Sequence, residues 1–404
     1  MQPVIQFLIP YAHIHHFVTE YFNPVRNQIP WRLHDIGIGH VCEIISIQMG
    51  RMMREVCTSN LFCHSHGNGN LYRADDRTKW TVRREISDNG PRRPGGDACV
   101  IDTVFFRQAE LLLRIIPLID REALFALKGG TAINFFVRDL PRISVDIDLV
   151  YLPIGKRDVA LREISDALTR ISQAVEGTVP GTKVLPKKSK GSDLFSGLFV
   201  RRQEATVKVE PNLVIRGSVF PSTTRVLSPR AADLFKMSVE CRVLSEEELY
   251  AGKICAALDR QHPRDLFDIM MLLKYGNFGA DMRKAFVVYL ISHDRPMVEL
   301  LNPRFGDIRP VYETEFQGMT EGKATREDLE KTREDLVAMI ARELTLEEKQ
   351  FIVSVKEGTP RWDLIGIEGV EDLPAVKWKL LNIGRMNPSK HKQAVRKLRD
   401  YLGV

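Results

Sequence analysis

The sequence predicts an α+β protein: a sheet-centred half followed by a bundle of helices. Three observations carry this. Residues 125–151, FALKGGTAINFFVRDLPRISVDIDLVY, read as strand, glycine turn, helix and returning strand. Residues 194–201 and 204–213 alternate apolar and polar side chains, as paired strands do. From Ser245 onward the apolar spacing is helical and the connections are polar.

The 125–151 unit is the part with chemistry in it. Residues 125–127 form a short apolar strand that stops at Gly129 and Gly130, and residues 131–137 have helical spacing. A glycine pair there lets the backbone approach a ligand, and the helix that follows points its free N–H groups at it; phosphate is the expected guest. In the returning strand, 144–151, Val145, Ile147 and Leu149 alternate with Ser144, Asp146 and Asp148. Both aspartates therefore share one face. Like charges so placed repel, which suits ligands of a hard cation, magnesium above all, better than it suits fold stability.

The flanking elements follow in order. Residues 104–119 form an amphipathic helix ending after a kink at Pro117. Residues 156–175 form another, with Val159, Leu161, Ile164, Leu168 and Ile171 toward the core. The strands at 194–201 and 204–213 pair as a hairpin across Arg202 and Gln203. This sets Glu210 on a polar strand face, as a third metal carboxylate or as a solubilising surface residue. Lys183, Lys187, Lys188 and Lys190 read as a basic loop, solvated or in contact with RNA phosphate.

Ser245 and Glu248 form a capping box at the start of the helical half. On that helix Lys253 and Arg260 lie two turns apart on one face. After Pro263 a new helix carries Arg264, Asp265 and Asp268, with Leu266, Phe267, Ile269, Met270 and Leu272 inward. Further helices span 280–293, 326–343, 345–356 and 375–402, with a second capping box at Thr345 and Glu348. The last stretch is basic through Arg385, Lys390, Lys392, Arg396, Lys397 and Arg399.

The order Gly-Gly, helix, D-x-D strand is what a polymerase-beta-type nucleotidyltransferase needs. The runs KGGTAINFF, RISVDIDL, KICAALDR and RDLFDI, in that order, resemble the AbiEii family of nucleotidyltransferase toxins, over roughly residue 101 to the C-terminus. The resemblance implies a polymerase-beta-like sheet domain at 100–244 and a helical domain at 245–404 that completes the cleft. It implies Asp146 and Asp148 as ligands of one or two magnesium ions, and Gly129, Gly130 and Thr131 at the phosphates of a nucleoside triphosphate; Ser144, on the aspartate face, reads as a phosphate contact or as a cap on a local backbone group. Lys253 and Arg260 would lie at the triphosphate, Asp268 would be the catalytic aspartate of the helical half, and Glu210 the candidate third ligand. The implied acceptor is RNA, the tRNA 3′ end in particular, and the implied partner is a cognate antitoxin. Transfer to a small molecule or protein, and a catalytically inactive nucleotide-binding module, are the alternatives.

Composition bounds the rest. The 404 residues suit more than one domain, and 58 Lys plus Arg against 52 Asp plus Glu, a net charge of +6, permit RNA contact without demanding it. No apolar run approaches a membrane span and no signal peptide opens the chain, so a cytoplasmic protein is expected. The six cysteines show no scaffold spacing and read as reduced thiols. Residues 1–99 form an extension of low expected order and a candidate misplaced start. Residues 44–53 could form a short helix within it, and Cys57, Cys63, His64 and His66 lack the paired spacing of a zinc site.

Overall fold

Seven strands make one mixed sheet in the order β3-β4-β5-β2-β1-β7-β6. The computed structural model describes residues 104–320 and 324–404. The expectations for residues 1–99, including the 44–53 helix and the Cys57, Cys63, His64 and His66 group, lie outside the described residues.

Helix α1 (Val104–Asp120) opens the described chain and buries Leu111, Leu112, Ile115, Ile116 and Ile119. Pro117 lies inside the last turn, and the helix ends at Asp120, where it was expected to end. Strand β1 (Phe125–Lys128) leads into the short helix α2 (Gly129–Ala132), continued by a π-helical turn (Ile133–Val137). Strand β2 (Asp146–Tyr151) returns antiparallel to β1, pairing Lys128 with Asp148 and Leu127 with Leu149. Ser144 and Val145 precede the strand rather than open it.

Helix α3 (Arg157–Thr178) buries Ala160, Ile164, Leu168, Ile171 and Val175. Val159, expected in the core, is 42% exposed and Leu161 is only half-buried, so the inward stripe is set one residue along. Strand β3 (Thr182–Lys188) corrects the basic-loop expectation: Lys183, Lys187 and Lys188 lie on the edge strand of the sheet, and only Lys190 lies in the turn after it. Proline and lysine suit a strand with one unpaired side. Strands β4 (Phe195–Arg202) and β5 (Ala205–Asn212) form the expected hairpin, turning through Gln203 and Glu204, one residue later than expected. Strand β5 runs parallel to β2, with Asp146 opposite Lys208 and Asp148 opposite Glu210.

Two strands have no counterpart in the sequence reading. Strands β6 (Thr223–Val226) and β7 (Glu240–Val243), separated by helix α4 (Pro229–Phe235), extend the sheet beyond β1, where β7 pairs parallel to it. At four residues each they are too short to show a period.

Helix α5 (Glu246–Arg260) begins at Ser245, whose hydroxyl accepts from the Glu248 N–H. Only half of the expected capping box forms. The Glu248 carboxylate turns inward, accepting from the N–H groups of Val219 and Phe220 and from the Tyr289 hydroxyl. Helix α6 (Pro263–Tyr275) follows, with Leu266, Phe267, Ile269 and Leu272 buried and Met270 packed at the edge of the core. The later helices are α7 (Ala280–Ser292), α8 (Met297–Leu301), α9 (Arg309–Glu315), α10 (Arg326–Glu343) and α11 (Leu346–Glu357), the last opened by the complete Thr345 and Glu348 capping box. The final stretch is two helices, α12 (Pro374–Gly384) and α13 (Pro388–Leu402), because the Asn387 side chain caps a fresh start. The sheet and helices of the described residues belong to one compact unit, with the change of class falling between β7 and α5.

Candidate active site

The alternation of β2 sends Ile147 and Leu149 into the core and leaves Asp146 and Asp148 half-buried on the other face. Burial pushes the Asp148 carboxyl above the usual range, and Asp146 adds to the push, against the pull of Lys128 and Lys253. Lys128, its cross-strand neighbour, is pushed down, again by burial first.

The glycine pair is required by the chain's own side chains. Gly129 has φ +73°, and a Cβ there would lie 2.3 Å from Asp148 Oδ2. A Cβ on Gly130 would lie 2.6 Å from Arg142 Nη2 and 3.2 Å from Ser144 Oγ. The side chains of Asp148 and Arg142 take up the space that a Cβ at these two positions would need. Thr131 and Ser144 are also committed: Thr131 Oγ1 lies 2.5 Å from the Asp146 carbonyl oxygen and 3.0 Å from Ser144 Oγ. With one proton, the threonine donates to the carbonyl and accepts from the serine, which pins α2 to the start of the acidic strand.

Beside the acidic strand lies an ion network, buried except at Arg260. Arg142 holds Asp268 bidentately, Nε to Oδ1 at 2.8 Å and Nη2 to Oδ2 at 2.7 Å. Lys253 Nζ lies 2.9 Å from Asp265 Oδ1 and 3.0 Å from Asp268 Oδ2. Arg260 grips Asp265 through Nε at 2.6 Å and Nη2 at 3.1 Å. Burial alone would raise both carboxyls, but Arg142 and Lys253 hold Asp268 below the usual range, and Lys253 and Arg260 hold Asp265 well below it. Lys253 is pushed down by burial and more than restored by the two aspartates, so it stays charged. Asn134 donates to the Gly130 carbonyl and to Asp268 Oδ1, leaving its own buried Oδ1 without a partner. This network ties α6 to the glycine turn and to the loop before β2.

Sequence reasoning placed Lys253, Arg260 and Asp268 together, and the structure does bring them together, with Asp265 as the shared acid. It missed Arg142, Asn134, Lys128 and Arg264. Arg142 and Arg264 each open one of the motifs, RISVDIDL and RDLFDI, yet nothing local marks their partners. Arg264 Nη1 donates to Asp146 Oδ2 at 3.2 Å, joining α6 directly to the acidic strand. On the other side a cleft of about 370 Å³ is lined by Lys128, Asp148, Lys187, Ser196, Glu210 and Asn212, among others. Glu210 lies there beside Asp148, its carboxylate accepting from Lys187 Nζ at 2.8 Å.

The hard carboxylates of Asp146 and Asp148, close together on one strand face, suit a magnesium-type cation. Among the described residues no group of three or more His, Cys, Asp or Glu is gathered to hold a metal ion, and Glu210 stands opposite Asp148 on the neighbouring strand. A cation that takes one or two protein carboxylates and fills its shell from phosphates and water needs no third.

The family of nucleotidyl transferase AbiEii toxins, type IV toxin–antitoxin system, matches residues 110–380. The chain belongs to the AbiEii family. This makes it a nucleotidyltransferase toxin by family, with a nucleoside triphosphate as substrate and an antitoxin as partner. Among solved structures the chain is similar to MenT4, a nucleotidyltransferase toxin from Mycobacterium tuberculosis H37Rv, at 14% identity and a TM-score of 0.47, over 73% of this chain and 93% of that one. No curated relative matches the chain. Among the described residues of this AbiEii protein, no helix is long and apolar enough to cross a membrane. Of its cysteines, Cys241 and Cys255 are free, buried thiols.

Proposed function

We propose that this protein moves a nucleotidyl group from a nucleoside triphosphate to the 3′ end of an RNA, the tRNA acceptor end first among candidates. Translation would then stop unless the antitoxin intervenes, and the setting would be the cytoplasm, where tRNA is charged. The observation that carries this reading is the convergence of α6 on β2: Arg264 touches Asp146, while Asp265 and Asp268 hold Lys253, Arg260 and Arg142.

Asp146 and Asp148 would hold magnesium, which when bound supplies charge neutralisation for the phosphates and an activated hydroxyl. The attacking oxygen bonds to the α-phosphorus as the bond to pyrophosphate breaks. Arg260, 59% exposed and gripped only through Nε and Nη2, keeps Nη1 for a phosphate oxygen. Lys253, buried between two aspartates, adds positive potential from a fixed position that needs no reorganisation during reaction. Asp268 fixes Lys253 and Arg142 in place. Gly129 allows Asp148 to stand where it does. The domains implied are a catalytic sheet over 100–244 and a helical half over 245–404 that carries the cations.

The test is transfer of label from each α-labelled triphosphate to total RNA, with the 3′ ends read by mass spectrometry. Label on protein or on small molecules, with none on RNA, overturns the acceptor. Growth inhibition by the Asp146→Ala protein equal to that of the parent overturns transfer as the toxic activity.

A further inference from the structure

Arg264 has a divided fork. Nη1 donates to Asp146 Oδ2 at 3.2 Å, while Nη2 lies 3.6 Å from Glu315 Oε2, an ion pair too long for a hydrogen bond. Glu315 is the last residue of α9, and its Oε2 also lies 3.1 Å from His262 Nε2. Arg142 and Lys253 are shut in with their acid partners. Arg264 is 22% exposed and shared between two acids that are 37% and 53% exposed. Pairs this open to water are weak and exchange easily.

A divalent cation and a guanidinium on the same carboxylate oxygen repel one another, so one gives way to the other. Glu315 stands as the second seat, facing the other terminal nitrogen of the guanidinium.

We propose that Arg264 is a positioning residue that holds Asp146 until a divalent cation displaces it onto Glu315, so that loading the acidic strand and moving one arginine are a single event. The proposal rests on the reading of Asp146 as a cation ligand. It explains why one arm of Arg264 is bonded and the other is held in waiting.

The experiment is manganese binding to the full chain without nucleotide, with free manganese read by electron paramagnetic resonance. The proteins are the parent, Asp146→Asn, Arg264→Gln, Glu315→Gln and the double variant Arg264→Gln/Glu315→Gln. Removing Arg264 removes the competitor, and affinity rises about three- to five-fold, the worth of one exposed pair. Removing Glu315 leaves Arg264 on Asp146, and affinity falls by a similar factor. In the double variant the Glu315 effect is absent, because there is no arginine left to seat. Glu315→Gln weakening binding equally with and without Arg264 would mean simple charge removal and overturns the exchange, as does an unchanged affinity in Arg264→Gln. Binding indifferent to Asp146→Asn overturns the cation site itself and the exchange with it, so the two failures are distinct.

Discussion

Arg142 and Asp268 are 126 residues apart in the chain and meet as a buried bidentate pair at 2.8 and 2.7 Å. The pair joins the loop before the acidic strand to the second turn of α6, so the position of the strand and that of the cationic helix depend on one contact.

Removing one partner of a buried ion pair leaves the other charge without compensation. Asp268→Asn is therefore expected to cost about 3 kcal/mol of stability or more, read as the shift of a urea unfolding curve. The double variant Arg142→Met/Asp268→Leu recovers part of that loss, because burying neither charge is cheaper than burying one. A double variant no more stable than Asp268→Asn alone would refute the account.

Two glycines with the same backbone offer a matched test. Gly129 has φ +73° and Gly181 φ +74°, but a Cβ meets Asp148 Oδ2 at 2.3 Å in the first and nothing within 4 Å in the second. Gly181→Ala should cost about 1–2 kcal/mol for left-handed strain and leave transfer intact. Gly129→Ala should cost at least as much and also displace the Asp148 carboxylate, so that nucleotide transfer falls by about a hundredfold or more. Equal transfer rates for the two variants would show that the close approach is immaterial.

Glu248 gives a pH dependence whose sign can be worked out. Burial pushes its carboxyl from 4.5 up to about 7, despite the hydrogen bonds from Phe220, Tyr289 and Val219. Between those values the folded chain holds a proton that the unfolded chain has released, so this group's contribution to stability falls as pH rises from 4.5 to 7 and is flat above. His262 and His293, both pushed down by burial, slope the other way through the same range, so the comparison has to be made against a variant. Glu248→Gln should gain on the parent by up to about 3 kcal/mol between pH 5 and pH 8, measured as the difference in urea midpoints. A gap between the two proteins that stays constant across that range would contradict the assignment.

How far the sequence was legible depends on how local each cause is. The acidic strand was readable because its alternation is written in six consecutive residues, and α5 and α6 because capping residues and Pro263 mark their ends. Strand β3 was read as a loop because Pro186 and its lysines argue against a central strand; on an edge the same residues are tolerated. Strands β6 and β7 owe their existence to β1, more than a hundred residues upstream of β7. In the site, Lys253 and Arg260 show their common face through helical spacing alone. Arg142 and Arg264 could not be assigned from spacing, since their acids lie 126 and 118 residues away. Glu248 misled for a related reason: its capping pattern is local, but the N–H donors that claim its carboxylate lie 28 and 29 residues earlier.

The network of Arg142, Lys253 and Arg260 against Asp265 and Asp268 leaves one positive charge in surplus, and two of its three cations are sealed from solvent. The two sealed cations are each matched by a buried aspartate, so the surplus is Arg260, 59% exposed and within reach of dissolved ions. The pull that a polyphosphate meets here therefore weakens in concentrated electrolyte, while the pairs that hold the arginine's acid in place do not.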